Sequence, residues 1–207
     1  MSEENNIKII LVGSSGTGKT NIIKAITNSP FSEDTSSTLT SAFVAKNMKI
    51  GNKIYNIELW DTAGQEKYRS LTKIFIVSSK IVIFVYDITQ RRSFEEIDYW
   101  VKTVKESLDG TPIFALFGNK KDLYLEEQVE ENEGKNKGEE IGAYFKLTSA
   151  KSERENLNEY INELVTMYVN KNLSNNNETY HREESFALQY NNKKNKNRYK
   201  SYITQII

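Results

Sequence analysis

The chain has 207 residues and no formal net charge at pH 7, with 38% hydrophobic and 27% charged residues. This size suits one domain plus an appendage, and the charge balance argues against a nucleic-acid-binding protein, which would show a basic excess. The absence of cysteine excludes disulfides, thiolate metal sites and thiol catalysis. The longest uncharged apolar run is far shorter than 18 residues, and the start, MSEENN, is acidic and polar, so a cytoplasmic or peripheral protein is expected.

Four short apolar segments, rich in β-branched and aromatic residues, predict strands. Their apolar residues are continuous rather than alternating, which is typical of strands covered on both faces in a parallel sheet. The predicted strands are residues 7–12, 81–87, 113–118 and 144–149. Two further segments, 41–50 and 53–60, are joined by Gly51-Asn52 and predict an antiparallel hairpin at the edge of the sheet.

Helix-period segments lie between the predicted strands. They cover residues 19–28, 93–108, 129–144 and 156–173. The second has an apolar stripe formed by Phe94, Ile97, Val101, Val104 and Leu108. Strands alternating with helices indicate an α/β, doubly wound fold.

A glycine-rich segment, GSSGTGKT at 13–20, follows the first predicted strand and opens the first helix. This context fits the phosphate-binding pattern G-x-x-x-x-G-K-[ST], in which backbone N–H groups point at phosphate oxygens at the positive end of a helix. Lys19 adds a charge at the outer phosphates, and the Thr20 hydroxyl suits Mg²⁺. The predicted nucleotide-binding residues here are Gly13, Ser14, Ser15, Gly16, Thr17, Gly18, Lys19 and Thr20.

The base is predicted from two motifs at later strand ends, because kinases, ATPases and GTPases share the phosphate loop. In GNKKDL, the Asp122 carboxylate can accept two hydrogen bonds from guanine, and adenine offers no such donor pair. The Lys120 stem can lie against the purine while Asn119 ties neighbouring loops together. In TSAK, which also contributes Ser149 and Lys151, the Ala150 N–H can meet the guanine carbonyl oxygen. A P-loop kinase or ATPase remains an alternative, as N-K-x-D is short.

With these motifs, the chain resembles the Ras-like small GTPases and, among them, the Rab branch. The resemblance covers about residues 7–173 and is carried by GSSGTGKT, WDTAGQEKYRSLT, VYDIT, GNKKD and TSAK. It implies a P-loop G domain with six mainly parallel strands, one antiparallel edge strand and helices on both faces. It also implies GTP/GDP and Mg²⁺ as ligands, and two switch segments, 31–43 and 61–71, that rearrange when the γ-phosphate leaves.

The resemblance also implies roles for residues around the reacting phosphate. Asp61 would hold Mg²⁺ through a water and Thr38 would be a second hydroxyl ligand. The Gly64 N–H would touch the γ-phosphate, and the Gln65 amide would orient the attacking water. Phe31 would pack beside guanine, although an aromatic residue at a helix exit is also commonly a core residue.

The resemblance predicts partners as well. They are effectors selective for the GTP form, an exchange factor and an activating protein that supplies an arginine, since none lies in 31–43. A monomer is expected, and so is a role in membrane traffic. Rab proteins usually read TIGVDF where this chain has TLTSAF, and Tyr-Tyr-Arg where it has Phe75, Ile76 and Val77, so partner recognition is expected to differ. An alternative is a scaffold that binds guanine nucleotide but hardly hydrolyses it.

The last segment, 174–207, is rich in asparagine and lysine and predicts a flexible tail after a G domain of residues 1–173. From Lys171 the chain has seven basic and three acidic residues. Rab proteins carry C-terminal cysteines for prenyl chains, whereas this sequence finishes SYITQII, so the chain either continues or reaches endomembranes without prenylation. An apolar stripe at helical spacing predicts weak peripheral contact with anionic lipid. Its residues are Tyr199, Tyr202, Ile203, Ile206 and Ile207.

Overall fold

A computed structural model of the chain describes residues 5–30, 42–62, 75–108 and 110–173, with only the backbone of Ala42. The chain divides into two units, Met1–Tyr168 and Val169–Ile207. Of the second unit, residues 169–173 are described and are helical. The predicted tail lies outside the described residues, so the domain boundary after residue 173 stays a prediction.

The first unit contains a six-stranded sheet. Its strands are β1 (Asn6–Val12), β2 (Ala42–Ile50), β3 (Lys53–Asp61), β4 (Ile81–Asp87), β5 (Ile113–Asn119) and β6 (Ala143–Leu147). The spatial order is β2-β3-β1-β4-β5-β6, and every neighbouring pair is parallel except β2 and β3. The predicted α/β fold, with six strands and one antiparallel edge strand, is confirmed.

The central strands are apolar because both of their faces are covered. All seven residues of β4 are buried, as the continuous apolar segment predicts. The hairpin of β2 and β3 turns at Gly51, whose φ of +57° lies in the left-handed region that glycine adopts readily. Parallel pairing of β1, β4, β5 and β6 brings their carboxyl ends to one edge of the sheet, where α/β proteins bind ligands.

The helices confirm the predicted elements but differ in their bounds. They are α1 (Lys19–Ile26), α2 (Arg91–Glu95), α3 (Ile97–Ser107), α4 (Glu131–Ile141) and α5, which covers residues 154–168 of the first unit. A 3₁₀-helix covers Lys121–Glu126. Among the described residues, no helix combines the length and the hydropathy needed to cross a membrane.

Two predicted helices were wrong in extent. The segment 93–108 is divided into two helices at Glu96, a one-residue turn whose ψ of −6° lies well above the usual helical value. The segment 129–144 ends at Ile141 because Gly142 takes a left-handed conformation, a common helix terminator, and β6 starts at the next residue. The spacing of apolar residues predicts neither the turn at Glu96 nor the left-handed conformation of Gly142.

Helix α4 lies close to the sheet because it has glycine on its inner face. A Cβ added at Gly134 would lie 2.3 Å from the Tyr86 hydroxyl oxygen and 2.6 Å from a ring carbon of Phe145. Both distances are far below van der Waals contact, so Gly134 is required for this approach. A Cβ at Gly138 would lie 3.0 Å from the Phe145 Cβ, which is also a tight contact.

Candidate functional site

The predicted nucleotide motifs converge at the carboxyl edge of the sheet. Gly13 follows β1, Asp87 ends β4, Asn119 ends β5, and Thr148 follows β6. The four strands are adjacent in the order β1-β4-β5-β6. Residues that are more than 130 positions apart in sequence therefore face one site.

The loop between β1 and α1 depends on glycine at two close approaches. A Cβ at Gly13, whose φ is +150°, would lie 2.1 Å from the Val85 carbonyl oxygen. A Cβ at Gly18, whose φ is +92°, would lie 2.2 Å from the Asn119 side-chain nitrogen. The loop is thus pressed against the ends of β4 and β5, and larger residues at these two positions would force it outward.

Lys19 is buried beneath this loop. Its ammonium donates to the carbonyl oxygens of Gly13 and Ser14, both at 2.8 Å, and the residue is 5% exposed. Burial lowers the pKa of Lys19 to about 8, while the nearby charge of Asp61 acts in the opposite direction. The carbonyl groups that bind the Lys19 ammonium are neutral. The buried positive charge can therefore also attract an anion such as a polyphosphate.

Thr20 and Asp61 provide a paired set of oxygen donors next to Lys19. The Thr20 hydroxyl donates to the Asp61 carboxylate at 2.6 Å, and Asp61 is buried. Neutral hydroxyl and carboxylate oxygens are the ligands that Mg²⁺ prefers, and Mg²⁺ usually keeps several waters and binds substrate phosphates as well. Within the described part of the chain, no group of three or more His, Cys, Asp and Glu residues could hold a metal ion. One hydroxyl and one carboxylate fit a Mg²⁺ ion whose remaining ligands are waters and phosphate oxygens.

Asn119 connects three loops with one buried side chain. Its amide nitrogen donates to the Thr17 carbonyl oxygen at 2.8 Å, and its amide oxygen accepts from the Ala150 N–H at 3.2 Å. The Thr148 hydroxyl lies 3.4 Å from the same amide oxygen. The phosphate loop and the loop after β6 are thus joined through the end of β5. The Ala150 N–H, which was predicted to meet guanine, is directed at Asn119 here.

Two carboxylates organise the residues around the predicted guanine pocket. Asp122 accepts a hydrogen bond from the Ser149 hydroxyl at 2.6 Å. The Lys120 ammonium lies 2.6 Å from an oxygen of Asp87, which is fully buried, and Lys120 has a left-handed φ of +67°. The salt bridge holds the Lys120 side chain against the carboxyl end of β4.

Of the other predicted site residues, some lie within the described part of the chain and others lie outside it. Ser15, Gly16 and Lys151 are described and exposed. Phe31, Thr38, Gly64 and Gln65 lie outside the described residues, so their roles stay predictions. The site also contains two residues that sequence reasoning missed. Asp87 lies in the motif VYDIT, but the motif does not indicate its partner Lys120. Glu96, which accepts a hydrogen bond from the Ser14 hydroxyl at 2.7 Å, lies within a predicted helix and belongs to no motif.

Comparison with known proteins agrees with this geometry. The model of the Ras family matches residues 8–170. The chain is 36% identical over 159 residues to the Ras-related protein RGP2 of Oryza sativa subsp. japonica, a match that covers 77% of this chain and 73% of the rice protein. It is 36% identical over 143 residues to RABA1b of Arabidopsis thaliana and to YPT3 of Nicotiana plumbaginifolia; each match covers 69% of this chain and 66% of the relative.

The match includes the phosphate loop, the Asn119 bridge and the guanine-side loop, and it extends over more than half of the chain. The glycine approaches, the buried lysine and the hydroxyl–carboxylate pair fit a nucleotide with Mg²⁺. The chain therefore belongs to the Ras family of small GTPases, which bind GTP and GDP with Mg²⁺ and hydrolyse GTP.

Proposed function

We propose that this protein is a Rab-like molecular switch in membrane traffic that hydrolyses GTP slowly without help and faster with an activating protein. The observation that carries the proposal is the Asn119 side chain, which binds the phosphate loop on one side and the loop after β6 on the other. This connection supports a site that holds both ends of one nucleotide.

The phosphate end is assigned to 13–20. Backbone N–H groups of Ser15, Gly16 and Gly18 would cradle phosphate oxygens, and Lys19 would turn its ammonium from the Gly13 and Ser14 carbonyl groups to the phosphates. Thr20 and Asp61 would exchange their mutual hydrogen bond for Mg²⁺, Asp61 acting through a water. When bound, Mg²⁺ neutralises charge that develops on the phosphate oxygens.

The base end is assigned to Asp122, Lys120 and the loop after β6. The Ser149 hydroxyl holds one oxygen of Asp122 at 2.6 Å, which orients the carboxylate that would accept from guanine. The salt bridge with Asp87 holds the Lys120 stem in a position where its methylene groups can cover the purine ring. The Ala150 N–H donates to the Asn119 amide oxygen, so a hydrogen bond to the guanine carbonyl oxygen would share this donor between two acceptors.

By resemblance to the family, hydrolysis is assigned to Gln65, with the Gly64 N–H at the γ-phosphate and Thr38 as a second hydroxyl ligand of Mg²⁺. An amide can accept from the attacking water and donate toward the transferring group, so a strong base is unnecessary. Because residues 31–43 contain no arginine, we expect an unassisted rate of about 10⁻⁴ to 10⁻³ s⁻¹. An activating protein that inserts an arginine would raise it.

An exposed aromatic stack supports recognition of effectors. The Phe43 ring stacks on Trp60 with centroids 5.1 Å apart, and Trp60 lies 5.7 Å from Phe75. Phe43 is 56% exposed. Phe43 closes the first predicted switch segment, and Trp60 directly precedes the second. A partner on this surface would therefore contact both switches.

Phe75, Ile76 and Val77 stand where the family usually has Tyr-Tyr-Arg. This replacement makes the surface less apolar than three exposed hydrophobic side chains would. Ile76 adds no apolar surface, because it is fully buried in the core. Val77 is 47% exposed and Phe75 is half-buried. The effector surface differs from the family pattern mainly by the loss of hydroxyl and guanidinium groups.

The membrane role includes the segment 174–207. We propose that its basic residues and the stripe that ends at Ile207 bind anionic lipid weakly and help to hold the protein at endomembranes. Co-sedimentation of the full chain with liposomes tests this proposal. Binding that requires anionic lipid and is lost when residues 193–207 are deleted supports it, whereas binding that ignores both contradicts it.

Single-turnover hydrolysis tests the enzymatic proposal. The full chain and the Gln65→Leu variant are loaded with GTP, and phosphate release is followed after Mg²⁺ is added. Gln128→Leu is the matched control, because Gln128 is an exposed residue after the 3₁₀-helix and its side chain accepts from the Arg91 N–H at the surface. We expect Gln65→Leu to be at least about tenfold slower and the control to be unchanged. Equal rates for all three would instead favour the scaffold that binds nucleotide without turning it over.

A further inference from the structure

The phosphate loop has an anchor that its sequence motif does not include. The Ser14 hydroxyl donates to the Glu96 carboxylate at 2.7 Å, although the two residues are 82 positions apart. Glu96 is the single residue between α2 and α3. We propose that Glu96 is a positioning residue that holds Ser14, and through it the phosphate loop, in the conformation that retains nucleotide.

Ser14 is the point at which the loop is held together. Its carbonyl oxygen accepts hydrogen bonds from the Lys19 ammonium at 2.8 Å and from the Thr17 hydroxyl at 3.0 Å. Its hydroxyl is directed outward to Glu96. The backbone and the side chain of one residue therefore connect the buried lysine, the middle of the loop and the start of α3.

The loop needs such an anchor because of the glycines on either side. Ser14 and Ser15 lie between Gly13, with φ of +150°, and Gly16, with φ of +79°. Glycine reaches many backbone conformations at little cost, so this segment has the torsional freedom to leave its binding conformation. Among the described residues, no heavy atom beyond its chain neighbours lies within 4 Å of a Cβ added at Gly16. A bond at Ser14 restrains the segment from the inner end.

Glu96 is oriented for this contact. Its other carboxylate oxygen lies 3.2 Å from the Arg92 Nε, one helical turn earlier, and the Glu96 side chain is 21% exposed. The backbone of Glu96 is itself held in place, because its N–H donates to the Arg92 carbonyl oxygen at 3.0 Å and its carbonyl oxygen accepts from the Trp100 N–H at 3.2 Å. Hydrogen bonds to an ionised acceptor are about twice as strong as neutral ones, which makes the Ser14 contact a substantial restraint for a partly exposed loop.

The inference deepens the proposed function, because it rests on nucleotide binding by the same loop. It is tested by the rate at which the full chain, preloaded with a fluorescent GDP analogue, releases it into excess GDP in the presence of Mg²⁺. The variants are Ser14→Ala, Glu96→Gln and the double variant. Ser14→Thr keeps the hydroxyl, and Glu95→Gln is the control, since Glu95 faces solvent beside Arg91.

We expect Ser14→Ala to release the analogue about fivefold to tenfold faster and Glu96→Gln about threefold faster. The double variant should be no faster than Ser14→Ala, since both changes remove one interaction. Ser14→Thr should release the analogue more slowly than Ser14→Ala, because it restores the hydroxyl, and Glu95→Gln should stay within about twofold of the unmodified chain. Recovery by threonine separates the hydrogen bond from a general loss of stability, which a different side chain would not restore.

Three results would overturn the inference: Ser14→Ala releasing at the unmodified rate, single effects that multiply in the double variant, or Ser14→Thr as fast as Ser14→Ala. If Ser14→Ala does not fold, Glu96→Gln against Glu95→Gln decides, and equal release rates reject the proposal. An unmodified chain that retains no GDP analogue would instead reject the proposed function itself.

Discussion

Replacing Asn119 with alanine removes the side chain that joins the two ends of the nucleotide site. The substitution leaves the Thr17 carbonyl oxygen and the Ala150 N–H without this partner. Both residues are buried, at 0% and 4% exposure. A buried polar group that loses its partner costs about 1–3 kcal/mol, so two such groups at about 1–1.5 kcal/mol each cost about 2–3 kcal/mol together.

If this loss destabilises the nucleotide-bound form, GDP release accelerates about 30-fold to 150-fold, because each 1.4 kcal/mol changes the rate by a factor of ten. The assay is the release of a fluorescent GDP analogue from the full chain, followed with excess GDP and Mg²⁺. Asn119→Asp is the second arm, since it keeps the acceptor for Ala150 but places an anionic oxygen near the Thr17 carbonyl oxygen. We expect it to release GDP faster than the unmodified chain as well.

The matched control is Asn136→Ala, because Asn136 is an exposed residue of α4. The control should release GDP at the unmodified rate. Release from Asn119→Ala within about threefold of the unmodified chain would refute the reasoning, since the bonds at 2.8 and 3.2 Å would then contribute little to holding nucleotide.

Three further predictions concern packing and the metal. Gly134→Ala should lower the free energy of unfolding by about 1–2 kcal/mol in urea, because the clash with Tyr86 and Phe145 exceeds the gain in helix propensity; unchanged stability would show that α4 moves freely. Tyr86→Phe should leave stability unchanged or raise it by about 1 kcal/mol, because the Tyr86 hydroxyl is buried without a hydrogen-bond partner among the described residues, and a loss of more than 1 kcal/mol would contradict this. Chelation of Mg²⁺ should accelerate GDP release about tenfold or more from the unmodified chain but only slightly from the Thr20→Ala variant. Equal acceleration in both proteins would show that Thr20 is not a ligand of the metal.

The fold was predictable because its signals are continuous in sequence. Fully buried strands such as β4 are continuous apolar segments, and the glycine at the β2–β3 turn marks the hairpin. The phosphate loop was predictable for a related reason. Its glycines are needed at fixed positions, as the clashes at Gly13 and Gly18 show, so the requirement is visible as a motif.

Long-range contacts between single side chains were not predictable. Glu96 bonds to Ser14 across 82 positions, and Asp87 pairs with Lys120, yet neither pairing has a local pattern. The break at Glu96 was also not predictable, because a single residue with ψ of −6° leaves the spacing of apolar residues along the two helices unchanged. Such features depend on the order of strands in the sheet, which brings distant loops to one edge.

The central claim is that one site holds phosphates at Lys19 and tests the base for guanine at Asp122. Its most direct test is competition, in which GTP or ATP displaces a fluorescent GDP analogue from the full chain with Mg²⁺ present. A site that hydrogen-bonds guanine should favour GTP over ATP by at least about 1,000-fold, and Asp122→Asn should weaken GTP without helping ATP. Displacement by ATP at the same concentrations as GTP would contradict the account.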